Sequence, residues 1–274
     1  MPTGIDYLDE VWNPITGCEG RGCKVRDRCW AREMVKRFPA IHGIRNNRPD
    51  EWTGPIPFSV ARFHPDRLEK PLHWKKPRKI GVCFMGDWMD NYVRPVWIDD
   101  MLEVINACPQ HQFFSLTKRP ENLEPKIYGH CKNKPVRELG GGDYLPNLFN
   151  GVSVCDQEDA DRKIPELLKI PGKKWISIEP CLSHISLRGY DGKIYRPWLD
   201  THAYPKMIDL IVIGAESGPK RRTCKIEWMI DAVKQCKSAG VPVFVKQIQD
   251  SKGKVIHDIN LFPPELQVRQ WPRV

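Results

Sequence analysis

Cys18, Cys23 and Cys29 fall within twelve residues in C-x4-C-x5-C spacing, among glycines and the cationic side chains Arg21, Lys24 and Arg28. Structural zinc usually takes four Cys or His ligands, often as two close pairs. Here only three lie close together, and the nearest histidine, His42, is thirteen residues further on. Three thiolates can hold a four-iron cluster by three of its irons and leave the fourth open to a ligand. A cluster that does chemistry, and does not merely pass electrons, needs that arrangement. The flanking cations would stabilise thiolates and cluster charge. Spacing alone leaves iron–sulfur, zinc and redox-sensitive thiols all open. The other seven of the ten cysteines stand singly in apolar context, as in Gly-Val-Cys83-Phe-Met. They read as small buried hydrophobes.

The remaining candidates are collected by the expected elements. Apolar runs of strand length recur at 80–85, 112–117, 148–154, 174–178, 208–214 and 241–246, with further strands expected near Val11 and Phe58. Residues 97–108, 157–170 and 226–239 carry apolar positions at helical spacing, and Gly240 stops the last before another strand. Flat apolar strands alternating with helices imply buried parallel strands joined by crossovers. The expected fold is α/β, a partial (β/α) barrel in a single domain, 1–274. Residues 41–79 read as an insertion, 129–146 and 187–206 as long loops, and 250–274 as a C-terminal tail. Polar residues gather just after strands: Gly86 and Asp87, Lys118 and Arg119, Cys155 and Asp156, Glu179, Glu216 and Ser217, and Gln247 beside Lys246. In parallel α/β architectures the site lies at the carboxyl ends of the strands. One such residue alone reads as a cap or loop; the recurrence points to one chemical face.

Composition narrows the partners. The chain has 274 residues, 43 Lys and Arg against 34 Asp and Glu, and a formal net charge of +9. That length buries a sizeable core without staples. The charge favours a polyanionic partner. No apolar run approaches the ~20 residues of a membrane span, and the acidic start shows no secretory signal. Membrane, secreted, fibrous and disordered classes are excluded, and a cytoplasmic location is expected, with reduced thiols. Lys220, Arg221 and Arg222, and the basic run at 75–79, are candidate phosphate contacts, with a solvated face as the alternative. Some of the ten tryptophans could stack on a base.

Six ordered blocks carry a resemblance. They are Trp12-Asn-Pro-Ile-Thr-Gly-Cys18 with Cys23 and Cys29-Trp-Ala-Arg-Glu-Met; Phe114-Ser-Leu-Thr-Lys-Arg-Pro-Glu-Asn-Leu; Leu145-Pro-Asn-Leu-Phe-Asn-Gly-Val-Ser-Val; Ile176-Ser-Ile-Glu-Pro-Cys-Leu; Ile211-Val-Ile-Gly-Ala-Glu-Ser-Gly-Pro; and Gly240-Val-Pro-Val-Phe-Val-Lys-Gln. Together, over roughly residues 10–250, they resemble a phage- and prophage-associated radical S-adenosylmethionine (SAM) family. The cysteine spacing departs from that family, which commonly has a longer first gap and ends in C-x2-C. The resemblance implies a partial barrel, a four-iron four-sulfur cluster, SAM bound to its open iron, and an external electron donor. Reductive cleavage of SAM then yields a 5′-deoxyadenosyl radical. Similar enzymes hypermodify thymidine in phage DNA, and one such step isomerises a glycine attached through nitrogen to the thymine methyl carbon into a carbon-linked form.

On this resemblance Cys18, Cys23 and Cys29 are the cluster ligands. Gly86 and Asp87 would meet the SAM amino group, and Lys118 or Arg119 its carboxylate. Ser153 and Ser217 join the cofactor-binding set. Glu179, Glu216 and Lys246 are the candidate catalytic residues. The substrate would be DNA carrying modified thymidine, or a nucleotide; in a duplex the base would have to be extruded. The alternatives are another nucleic-acid-directed radical SAM enzyme, such as a photoproduct lyase or a methyl- or methylthiotransferase, and a zinc-stabilised nucleic-acid-binding adaptor.

Overall fold

The computed structural model describes residues 5–43, 57–129, 144–190, 195–199, 207–218 and 220–272. It is a mixed α/β fold whose strands are mostly parallel. The chain forms two compact units, Met1–Phe149 and Asn150–Val274. No described helix is long and apolar enough to cross a membrane.

The first unit contains, in chain order, β1 (Glu10–Trp12), β2 (Ile15–Thr16), α1 (Trp30–Arg37), β3 (Arg62–Phe63), β4 (Lys79–Val82), α2 (Pro95–Asn106), β5 (Gln112–Thr117) and the first residues of β6 (Leu148–Val154). Strand β4 lies between β1 and β5, parallel to both, with Trp12 opposite Val82 and Gly81 opposite Phe114. The Phe113 amide donates to the Asn147 carbonyl at 2.8 Å, which starts β6 beside β5. Helix α2 forms because Ile98, Met101, Leu102 and Ile105 share one face, and all four are buried. Pro95 opens it, where a missing amide hydrogen costs nothing.

In the second unit β6 continues, followed by α3 (Gln157–Leu168), β7 (Lys173–Ile178), β8 (Arg188–Tyr190), β9 (Tyr195–Pro197), β10 (Leu210–Gly214), α4 (Ile226–Ser238), β11 (Val243–Gln249) and β12 (Val255–Ile256). The order β6-β7-β10-β11 is extended by β12. Strands β7, β10 and β11 are parallel, and β12 runs antiparallel to β11. All seven residues of β6 are buried, as a central parallel strand requires. Gly151 is needed there, since a Cβ would lie 2.2 Å from Trp175 Nε1. Asp156 caps α3 by accepting from the Asp159 amide at 3.0 Å. Lys163, buried, reaches Asp159 at 2.9 Å and the Ser153 carbonyl at 2.8 Å, tying α3 to β6.

The expected strands and helices are present, with shifted ends. The run at 80–85 stops being a strand at Cys83, where φ is +56° and the chain turns back. Near Phe58 the strand is β3, four residues further on. Residues 250–274 are no loose tail over their described length. The Val245 and Gln270 amides donate to the Val268 and Val243 carbonyls at 2.9 Å, and Leu266 is buried. Of the expected insertion, residues 44–56 lie outside the described residues, as do 130–143, 191–194 and 200–206 of the two expected loops.

Candidate functional site

The cysteine loop leaves β2 through Gly17 and docks on the turn that follows β4. The Gly17 amide donates to the Met85 carbonyl at 2.9 Å, and the Cys18 amide to the Phe58 carbonyl at 2.9 Å. Gly17 and Gly86 form a parallel bridge. A Cβ on Gly86 would lie 2.6 Å from the Gly17 carbonyl, and one on Gly17, whose φ is +83°, 2.6 Å from the Val60 carbonyl. Only glycines allow so close an approach. Cys18 and Cys29 pack on one apolar cluster of Ala31, Val35, Phe58 and Met85. Cys23 sits in a turn, its amide on the Gly20 carbonyl at 3.3 Å. All three are free, half-buried thiols. Burial first, then the Asp87 carboxylate, pushes the Cys18 thiol up to about 12, while Lys118 opposes and Cys29 adds to the rise. Cys18 and Cys29 are thus within electrostatic range of one another. Among the described residues no three His, Cys, Asp or Glu groups converge as ligands of a single ion.

Asp87 is buried and fully engaged. It accepts from Thr117 Oγ1 at 2.7 Å, the Lys118 amide at 2.9 Å and the Met89 amide at 3.1 Å. Burial raises its pKa against those three hydrogen bonds. Its carboxylate therefore joins the carboxyl end of β5 to the turn after β4. Arg119 reaches Glu19 at 3.1 Å and the buried Asp90 at 3.4 Å, and Asp90 accepts from the Glu19 amide at 2.9 Å. This network clips the residue after Cys18 to the ends of β4 and β5. Glu19 and Thr117 were not among the expected site residues. Thr117 stands in a recognised block, but only the fold shows that its hydroxyl meets Asp87.

Beneath the loop lies a buried chain that the sequence did not signal. Thr16 Oγ1 is 2.7 Å from both His42 Nδ1 and His64 Nε2. Burial lowers both imidazoles, His64 to about 4. Both are therefore neutral, and the hydroxyl donates to one ring and accepts from the other. Positions 16, 42 and 64 share no spacing that would have linked them.

In the second unit Lys246 Nζ donates to Glu179 Oε1, and Ser153 Oγ to the Glu179 carbonyl at 3.4 Å. Ser153, Glu179 and Lys246 thus come together across β6, β7 and β11. Glu216 is buried and held by Arg222, whose amide, Nε and terminal nitrogen donate at 2.7, 3.0 and 2.5 Å. Arg222 is thus spent on Glu216, and the geometry does not present it with Lys220 and Arg221 as an open cation. Lys220, Arg221 and Ser217 are exposed. Gln247 donates to the Ala215 carbonyl at 2.6 Å. Three cysteines expected to be isolated gather instead: Cys181 lies beside Cys224 and within range of Cys155, all buried, and the Cys224 contact with burial raises the Cys181 thiol far above its ordinary value.

A family described as a protein of unknown function (DUF5131) matches residues 2–260, and the chain belongs to that family. No curated protein and no solved structure matches the chain.

Proposed function

We propose that this chain is a radical SAM enzyme that acts on modified thymidine in DNA, isomerising N-linked glycinyl-thymidine to the C-linked form. The observation that carries the reading is the docking of the Cys18 loop on the Gly86–Asp87 turn. Residues far apart in the chain, singled out as cluster ligand and cofactor contact, are neighbours, with Lys118 and Cys29 in electrostatic range. The partial-barrel form of the fold belongs to the same proposal.

The donor set fits a four-iron four-sulfur cluster. Three free, part-exposed thiols lie on one loop, and the loop is pinned at Gly17 to the end of a strand. Cys18, Cys23 and Cys29 would hold the cluster. Ligands of a cluster each meet a different iron and need not converge on one point. A bound metal centre favours the thiolate and offsets the burial that now keeps Cys18 protonated. Held by these three cysteines and reduced by an external donor, such a cluster would supply the electron for reductive cleavage of SAM.

The chain's own residues bind and orient. Asp87 holds the turn after β4 against β5 and so sets where Gly86 presents its backbone. Lys118 offers a cation for the SAM carboxylate. In the second unit the Lys246 ammonium beside Glu179 could pair with the amino-acid carboxylate while Glu179 faces the migrating amine. Ser153 steadies the Glu179 backbone, and Glu216 with Arg222 shapes the turn that carries Ser217.

The test is mass spectrometry of nucleosides from glycinyl-thymidine DNA incubated with the reduced enzyme and SAM. Isomerisation keeps the mass and changes retention and fragmentation. Untouched glycinyl-thymidine alongside turnover of thymine photodimers or an RNA substrate would replace this reaction with another nucleic-acid-directed radical SAM activity.

A further inference from the structure

The loop that carries Lys220 and Arg221 faces a second loop, after β11, across an open groove of about 760 Å³. Four cations line it: Lys220 and Arg221 from one side, Lys225 at the start of α4, and Lys252 from the other loop. Glu227 and Asp250 are the acidic residues among its lining. The Asp250 carboxylate is turned into its own loop, accepting from the Lys252 and Lys254 amides at 2.9 and 2.8 Å. The cations therefore outweigh what faces them.

The walls are held in place. Arg221 Nε donates to the Gly253 carbonyl at 2.5 Å and its Nη1 to the Gly218 carbonyl at 2.9 Å, so one guanidinium links both loops. Buried Gln249 accepts from the Cys224 amide at 3.0 Å and donates to the Arg222 carbonyl at 2.9 Å. Within this frame α4 begins unfavourably. Its N-cap is Lys225, with no side-chain cap on the helix. Caps are normally Ser, Thr, Asp or Asn, and the positive end of a helix disfavours a cation. Glu227 in the first turn and the Trp228 ring, whose centroid is 5.5 Å from Lys225 Nζ, answer part of this charge, and an anion in the groove would answer the rest.

We infer that this groove binds the phosphodiester backbone of a nucleic-acid strand, through Lys220, Arg221, Lys225 and Lys252 and without Arg222. The groove, at about 760 Å³, is far larger than one phosphate, which suits successive phosphates on a strand. The inference rests on the nucleic-acid substrate proposed above and gives that substrate a binding surface of its own.

The experiment is fluorescence anisotropy of a labelled single-stranded oligonucleotide across a salt series, without SAM or reductant. Lys220→Ala, Lys225→Ala and Lys252→Ala combined should weaken binding at least tenfold and lower the slope of log K against log salt by about 2, at ~0.7 per phosphate contact on a single strand. Lys225→Gln with Lys252→Gln, both exposed, should lower it by about 1.4 on the same scale. Lys234→Ala with Lys237→Ala, elsewhere on α4, should leave affinity and slope near the wild-type values. Unfolding curves confirm that each variant is folded. If the triple variant keeps its affinity and slope, or the Lys234 and Lys237 control loses as much, the groove is not the site, while the nucleic-acid reading stands. If thymidine monophosphate or inorganic phosphate competes as well as unlabelled oligonucleotide, the site takes a lone phosphate and the strand-binding inference fails. If the wild-type protein binds no oligonucleotide, the groove and the DNA substrate fall together; SAM cleavage, read separately, is unaffected.

Discussion

At the scale of residues, the site depends on groups that are buried and fully committed. His64 is held neutral, its pKa pushed down to about 4 by burial from an ordinary 6.5. The unfolded chain takes up a proton as pH falls through 6.5, and the folded chain does so only near 4. The contribution to stability is therefore complete above 6.5 and is lost as pH falls towards 4, by at most about 3 kcal/mol. His64→Gln, which keeps a partner for Thr16, should flatten that part of the stability–pH curve; a curve of unchanged slope between pH 6.5 and 4 would show that His64 is not the group responsible. Asp87 is a second such residue. Asp87→Asn puts an amide donor among three donors, so at least one buried donor loses its acceptor. The expected loss is about 1–3 kcal/mol in denaturant unfolding. A smaller change would mean that Asp87 does not join β4 to β5.

At the scale of elements, the loop depends on two glycines that touch. Gly17→Ala or Gly86→Ala drives a methyl into backbone at 2.6 Å, which must displace the cysteine loop. Each should cost more than Gly22→Ala, where φ is +69° but nothing lies within 4 Å. That change carries only the left-handed backbone strain, about 1–2 kcal/mol. Thermal unfolding of the three variants gives the ranking, and equal losses would contradict the docking. In the second unit, Lys163→Met leaves buried Asp159 with only the more exposed and more distant Arg162, at 3.4 Å, as an ion-pair partner. A loss of about 3–5 kcal/mol is expected, and a neutral result would show that Asp159 is satisfied without it. Much of this layer was legible beforehand. Apolar runs and helical periodicity report burial directly, so β5, β6, β7, α2 and α4 lie within a few residues of their expected places. The end of β4 was not legible, because a positive φ at Cys83 has no signature in a non-glycine residue. The thiol group of Cys155, Cys181 and Cys224 was missed for a related reason. Each follows a different strand or loop, and only the pairing of β6, β7 and β10 brings them together. Among the described thiols, native alkylation should spare these three, which are buried, and label the part-exposed Cys23 and Cys29 first.

For the whole molecule, the excess of nine positive charges was legible, but its deployment was not. Arg222 sits in a basic run yet serves Glu216, while Lys225 and Lys252, distant in sequence, share a groove with Lys220. Charge pattern along a chain does not reveal which cations an acidic side chain will claim. The same holds for the chemistry. The sequence reads the cysteine loop as a candidate metal site, and the fold brings that loop to the Gly86–Asp87 turn; the proposed reaction must be read with cluster and SAM bound. The most direct measurement is therefore product analysis after anaerobic reconstitution with iron and sulfide, with SAM and dithionite present. The wild-type protein should take up iron and form 5′-deoxyadenosine. Cys18→Ala, Cys23→Ala and Cys29→Ala should each abolish that product, because losing one of three ligands releases the cluster or opens a second iron. A wild-type protein that binds one zinc and no iron and leaves SAM intact, or full 5′-deoxyadenosine formation in all three variants, would contradict the account.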